Sequence, residues 1–166
     1  MLMTFMIYGS YGFLGDIITH LAVNSGLRPI LAGRDVTKLD RQATGLSLEY
    51  RVFGLGNPGI IDQAFKNISI ILNCAGPYIY TCKPMVEACF RNKVHYLDLT
   101  GEIPVYEAVS RLHGPEAVAT WTSQTTLAAI QKVLGGNSPA GFQTPAMAYG
   151  ADFVLQCKDV EREVLI

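Results

Sequence analysis

Three glycines spaced three apart, Gly9, Gly12 and Gly15, follow directly on the apolar run Phe5-Met6-Ile7-Tyr8. An apolar strand, a G-x-x-G-x-x-G turn and a helix form the setting in which a dinucleotide phosphate is held. The first glycine permits the sharp turn, the second lets backbone approach the pyrophosphate, and the third lets helix pack on strand. The helix start then offers unpaired N–H groups and a partial positive charge to the phosphates. The same spacing also makes a plain strand-to-helix turn, so the glycines alone leave both readings open. On the first reading the contact is the whole loop: Gly9, Ser10, Tyr11, Gly12, Phe13, Leu14 and Gly15.

The end of the second apolar run discriminates between cofactors. NAD sites place Asp or Glu there to take the ribose hydroxyls. Here Ala32-Gly33-Arg34 offers small residues and then a guanidinium, which suits a 2′-phosphate by charge and by fork geometry. Lys38, one turn on, adds charge. The expectation is NADP rather than NAD, with Gly33 and Arg34 at the ribose. Arg34 as a solvated surface residue is the alternative, and Asp35 becomes a ribose ligand if the strand ends one residue later.

A third group, Asn73, Cys74, Ala75, Gly76 and Pro77, lies at the carboxyl end of the apolar stretch Asn67–Asn73, where ligands sit in open α/β sheets. Gly76-Pro77 either brings backbone near a cofactor or is a structural turn. Cys74 reads as a small buried hydrophobe, because no basic neighbour is placed to activate it as a nucleophile. Tyr78 and Tyr80 pack at the sheet rim or stack near a nicotinamide. Lys83 lies three residues from Tyr80, not the four of a Tyr-x-x-x-Lys pair. His20 and His95 read as structural. Asp98 and Glu102, four apart, form a carboxylate pair or place Glu102 against a helix dipole. No catalytic residue and no metal-ligand set is assigned.

Short apolar runs alternate with helical-period segments and so position these groups. Strands are expected at Thr4–Tyr8, Pro29–Ala32, Leu48–Phe53, Asn67–Asn73 and Val94–Leu99. Helices are expected at Phe13–Asn24, Ile60–Phe65, Pro84–Asn92 and Pro104–Leu112. Ser25-Gly26 closes the first helix, with glycine where a left-handed residue is common. Such alternation gives an α/β fold: a three-layer Rossmann, doubly wound parallel sheet of order 3-2-1-4-5. After a break at His113-Gly114-Pro115 come helices at Ser123–Leu134 and from Thr144-Pro145 to about Leu155, expected to pack on the sheet, with Trp121 as anchor.

The 166 residues, 49% hydrophobic with a formal net charge of −1, suit a single domain, residues 1–166. Residues 1–112 form the core and 113–166 the closing helical segment. The balanced charge argues against nucleic acid, and no stretch approaches the roughly 20 apolar residues of a membrane span. Met1–Tyr8 lacks a basic leader and reads as a strand rather than a signal peptide. Cys74, Cys82, Cys89 and Cys157 have no zinc or CxxC spacing and read as reduced thiols in a cytoplasmic protein.

The blocks IYGSYGFLG, RPILAGRD, LNCAGPY…PMVEAC and HYLDLTGE occur in one order, and together the chain resembles the NADP-binding half of saccharopine dehydrogenase-like proteins, a family that includes trans-acting enoyl reductases. GFQTPAMAYGADFVL resembles the closing segment of one bacterial branch, so the resemblance spans about residues 4–112 and 114–160. It implies a Rossmann domain with Gly9, Gly12 and Gly15 on the phosphate loop and Arg34 at the adenosine ribose phosphate. It also puts residues 73–77 along the middle of the cofactor, and Asp98, Thr100, Gly101 and Glu102 on the loop after the fifth strand. The inserted substrate domain that follows the TGE block in the family is missing between Glu102 and the closing helices. The resemblance therefore implies an NADP-dependent oxidoreductase-type domain acting by hydride transfer on an unidentified substrate. A non-catalytic nucleotide-binding or regulatory module, and a fold kept only for interactions, are the alternatives. Apolar surface bared near residues 103–125 implies self-association into a homo-oligomer.

Overall fold

A computed structural model describes residues 4–99, 123–139, 145–150 and 152–156. The chain divides into two compact units, Met1–Gly101 and Glu102–Ile166. In the first, strands and helices alternate: β1 (Phe5–Tyr8), α1 (Phe13–Asn24), β2 (Ile30–Gly33), α2 (Val36–Leu46), β3 (Tyr50–Val52), α3 (Pro58–Ala64), β4 (Ile70–Asn73), α4 (Tyr78–Asn92) and β5 (His95–Asp98). All strands are parallel and lie in the order β3-β2-β1-β4-β5. The register aligns Tyr8 with both Ala32 and Asn73, and Asn73 with Asp98, so the strand ends that carry the candidate residues share one edge.

The three inner strands are apolar on both faces, and every residue of β1, β2 and β4 is buried. That is the composition a parallel sheet needs when helices cover both its sides. Met6, Ile30, Ala32 and Ile71 point to one face, where they pack with Ile61, Phe65, Met85 and Cys89 of the α3–α4 layer. Leu31 points to the other face, with Leu39 and Ala43 of α2. Arg91 on α4 ties the layer together by gripping the Asp62 carboxylate at the end of α3. The α1 helix closes as expected, with Gly26 at φ +80°.

Two helices of this unit differ from expectation. The helix α2 has no counterpart among the expected elements: only Leu39 and Ala43 of its apolar positions are buried, and its start signal, Asp35, was considered only as an alternative ribose ligand. The helix α4 begins at Tyr78, six residues before Pro84, and holds that proline in its interior; a proline ordinarily marks a first turn and so displaced the expected start. It follows that Tyr78 and Tyr80 stand on the first turn of a helix.

In the second unit, residues 123–134 are helical (α5). A further helix, α6 (Pro145–Tyr149), is five residues long, and a 3₁₀ turn covers Phe153–Gln156. The expected helix through about Leu155 is thus broken after Tyr149, where Gly150 takes φ +90°. The expected helix Pro104–Leu112, the break at His113, Trp121 and Cys157 lie outside the described residues. Among the described residues no helix is long and apolar enough to cross a membrane.

Candidate functional site

The strand order reverses direction between β1 and β4, because β1 is followed in the chain by β2 on one side and flanked by β4 on the other. A crevice opens at such a switch point, outside the carboxyl ends of the strands. The two connections that border it are Gly9–Gly12 after β1 and Cys74–Pro77 after β4.

Glycine is required in the first connection by close backbone approach. Gly9 takes φ +79°, and a Cβ there would lie 2.9 Å from the Ala75 nitrogen in the neighbouring connection. At Gly15 a Cβ would collide with the Gly9 carbonyl oxygen and stand 3.0 Å from the Ser10 Cα. At Gly12 it would come to 3.1 Å from that same oxygen, which already accepts the Gly12 N–H. The turn is thus folded back on itself until the first turn of α1 rests on it, and the Gly9 N–H anchors it by donating to the Ala32 carbonyl at 2.7 Å.

The helix starts around the sheet are not alike. The α2 start is capped by the Asp35 carboxylate, which accepts the Lys38 N–H, and the α3 start by the Asn57 side chain, which accepts from Gly59 and Ile60. At α1 and α4 the N-cap residues are Gly12 and Pro77, and neither start has a side-chain cap. The first four N–H groups of a helix lack intrahelical partners and need another acceptor. The two helices without side-chain caps here are those that flank the crevice.

The named side chains divide by role. Ser10 is fully buried, and its hydroxyl donates to Gln42 Oε1 at 2.8 Å while its carbonyl accepts from Gln42 Nε2. Gln42 also donates to Asp16. What Ser10 offers a ligand is therefore backbone. Phe13 is 76% exposed at the head of α1. The β2 strand ends at Gly33, one residue later than expected, yet the Asp35 carboxylate is held on α2 by the Lys38 N–H (3.1 Å) and the Lys38 ammonium (3.9 Å). Arg34, beside it, is exposed.

Asn73 is also fully buried, and its amide braces the second connection rather than facing the crevice. Its Oδ1 accepts the Ala75 N–H at 3.1 Å, and its Nδ2 donates to the hydroxyls of Thr81 and Tyr96, both at 3.2 Å. The Thr81 hydroxyl donates to the Ala75 carbonyl at 2.6 Å, and Tyr96 donates to Asp98 at 2.9 Å. Burial raises the Tyr96 phenol far above its ordinary range, so it serves as a fixed donor. Sequence reasoning did not pick out Thr81 or Tyr96; an Asn closing a buried strand, with hydroxyls eight and 23 residues on, was the available signal.

Cys74 has its thiol raised by burial and by the nearby Asp98, which leaves no thiolate at neutral pH and fits a packing role. His20 sits on exposed α1 surface beside Asp16, and His95 begins β5 at the opposite end from the crevice. Glu102, the other half of the carboxylate pair, lies with Thr100 and Gly101 outside the described residues. Among the described residues no three His, Cys, Asp or Glu side chains group as metal ligands do.

With this geometry in place, the likeness to known proteins is informative. Residues 5–132 match the family model described as the saccharopine dehydrogenase NADP binding domain. The human saccharopine dehydrogenase-like oxidoreductase is 26% identical over 116 residues, covering 58% of this chain and 27% of that protein. A trans-acting enoyl reductase of Mycobacterium leprae (strain TN) is 31% identical over 122 residues, 69% of this chain and 29% of the enzyme. The chain thus spans under a third of the length of these relatives. Among solved structures, apo saccharopine dehydrogenase (L-Glu forming) from Saccharomyces cerevisiae superposes with a TM-score of 0.52 at 17% identity, over 64% of this chain and 24% of the enzyme's. A Veillonella parvula short-chain dehydrogenase/reductase in complex with NADP gives 0.51 at 19% identity, over 77% and 64%. At such identities the structures share the fold.

Proposed function

Because the chain belongs to the saccharopine dehydrogenase NADP-binding domain family, we propose that it holds NADP(H) in the crevice between the β1–α1 and β4–α4 connections, in preference to NAD(H), and serves a hydride-transfer oxidoreductase. One observation carries the placement: the α1 start has no side-chain cap, and glycines at 9 and 15 leave no room for a Cβ on the turn below it. A pyrophosphate supplies the acceptors which that helix start lacks. The residues expected to contact the dinucleotide are Gly9–Gly15, Gly33, Arg34 and Asn73–Pro77, with Ser10 and Asn73 contributing through the backbone they hold in place.

NADP, when bound, supplies or accepts the hydride. The chain's own groups orient it. The matched regions cover only 27% and 29% of these relatives, so no substrate is carried over from them.

Arg34 supports the preference for NADP, since the carboxylate beside it is turned away onto α2. In equilibrium titrations NADPH is expected to bind more tightly than NADH. Arg34→Ala then weakens NADPH by about tenfold to a hundredfold, the worth of one charge-assisted hydrogen bond of about 1.5–3 kcal/mol, and leaves NADH unchanged. Equal affinities for the two cofactors in the unmodified protein contradict the preference.

We also propose a reducing, cytoplasmic setting, supported by the free thiols Cys74, Cys82 and Cys89, and self-association. Ile60 and Phe90, on the adjoining helices α3 and α4, are 49% and 83% exposed, which supports a contact with a second copy. Light scattering should return more than one protomer's mass; a clean monomer across the working concentration range rejects it.

A further inference from the structure

Resting on the NADP reading above, we propose that Tyr11 is a specificity-determining residue, its phenol hydroxyl donating to the 2′-phosphate on the adenosine ribose. Tyr11 belongs to the glycine turn, but its ring leaves that turn and lies on Gly33 at the end of β2. A Cβ at Gly33 would come within 2.6 Å of the Tyr11 Cε1 and 3.0 Å of its hydroxyl oxygen. The end of β2 is where a dinucleotide fold reads the adenosine ribose. The phenol therefore stands at the position that tells one cofactor from the other.

Its hydrogen bonding fixes which way it can act. The Asp35 backbone N–H donates to the Tyr11 oxygen at 3.2 Å. A phenol has one proton and acceptor lone pairs. With a lone pair occupied by that N–H, the proton is left to donate elsewhere, and among the described residues no acceptor takes it. The neighbouring phenol of Tyr8 directs its own proton to the Phe53 carbonyl at 3.3 Å.

The charges around the phenol favour a phosphate over a hydroxyl. The Lys38 ammonium stands 5.7 Å from the centre of the Tyr11 ring, and Arg34 is exposed on the same connection. Asp35 carries the carboxylate of this connection and is held by the start of α2 and by Lys38. The set is thus a neutral donor with two cations and one carboxylate already engaged at α2, a net positive charge. A ribose hydroxyl can use the neutral donor weakly, whereas a dianionic phosphate gains from all three groups.

The test is the ratio of affinities for NADPH and NADH, with 2′,5′-ADP as a probe of the adenosine half, in the unmodified protein and in Tyr11→Phe. The ring keeps its place on Gly33 in the variant and only the hydroxyl is lost. Because both cofactors are titrated into one preparation, the ratio is insensitive to a fall in folded fraction. The expected result is a loss of about tenfold for NADPH and for 2′,5′-ADP, with NADH unchanged. A loss shared equally by NADPH and NADH overturns the assignment, as does an unchanged ratio. Tighter binding of any of the three also overturns it, since the phenol would then obstruct the ribose. Failure of the unmodified protein to prefer NADPH overturns the NADP reading itself and this assignment with it, whereas a preference that Tyr11→Phe leaves undiminished overturns this assignment alone.

Discussion

Gly15→Ala should abolish most dinucleotide binding while leaving the chain folded. The new methyl group collides with the carbonyl oxygen of Gly9 and crowds the Gly9 carbon and the Ser10 Cα at 3.0 Å each. All three are backbone atoms, so no side chain can turn aside, and α1 must lift away from the β1 turn. Overpacking of this kind costs about 1–3 kcal/mol of stability. The larger effect falls on the ligand, because the N–H groups that would meet the pyrophosphate move with the helix. Losing one or two charge-assisted hydrogen bonds, at about 1.5–3 kcal/mol each, predicts an NADPH affinity lower by about a hundredfold or more. Gly26→Ala at the other end of α1 is the matched control. A Cβ there meets nothing within 4 Å, and the strain lies only in φ +80°, so stability falls while NADPH binding is retained. Titration calorimetry on the two variants separates the effects, and unaltered binding in Gly15→Ala contradicts the placement of the phosphates.

The second large effect concerns Asn73, where loss of stability is the principal expectation. Asn73→Ala removes the group that binds the Ala75 N–H and the hydroxyls of Thr81 and Tyr96. The half-buried partners lose these bonds together, although Thr81 and Tyr96 keep those they donate to Ala75 and Asp98, and each group left unsatisfied costs about 1–3 kcal/mol. A total of about 3 kcal/mol is expected, read as a lower urea midpoint with an unchanged slope. The residues Cys74–Pro77, no longer braced against α4, should then bind the nicotinamide half less well. NADPH affinity falls accordingly while 2′,5′-ADP, which the proposed binding mode puts over β1 and β2, is affected less. A midpoint equal to that of the unmodified protein would show that the amide is not the brace.

These two positions also show what was legible in the sequence. Periodicity and apolar runs located all five strands within three residues and led to the order 3-2-1-4-5, because a doubly wound sheet leaves few arrangements for short parallel units. Gly9, Gly12 and Gly15 were legible because backbone crowding constrains residue type directly. The role of Asn73 was not. It was read as lining a cofactor, yet its amide is buried among Thr81, Tyr96 and Ala75, partners that only the tertiary structure assembles. Asp35 illustrates the same limit from another side. A carboxylate at the end of a second strand suits either a ribose or a helix start, and with α2 unrecognised the second use could not be weighed. Pro84 misplaced the start of α4 because local preference favours proline in a first turn, whereas the helix carries it in its interior.

The glycine turn and the uncapped start of α1 are expected to hold the pyrophosphate of NADP. A crystal structure of the protein soaked with NADP tests it most directly. Pyrophosphate oxygens are expected on the backbone N–H groups at the head of α1, the 2′-phosphate beside Arg34 and Tyr11, and the nicotinamide half along Cys74–Pro77. A dinucleotide ordered elsewhere on the chain, or a Gly9–Gly15 turn that stays empty at saturating NADP, contradicts it.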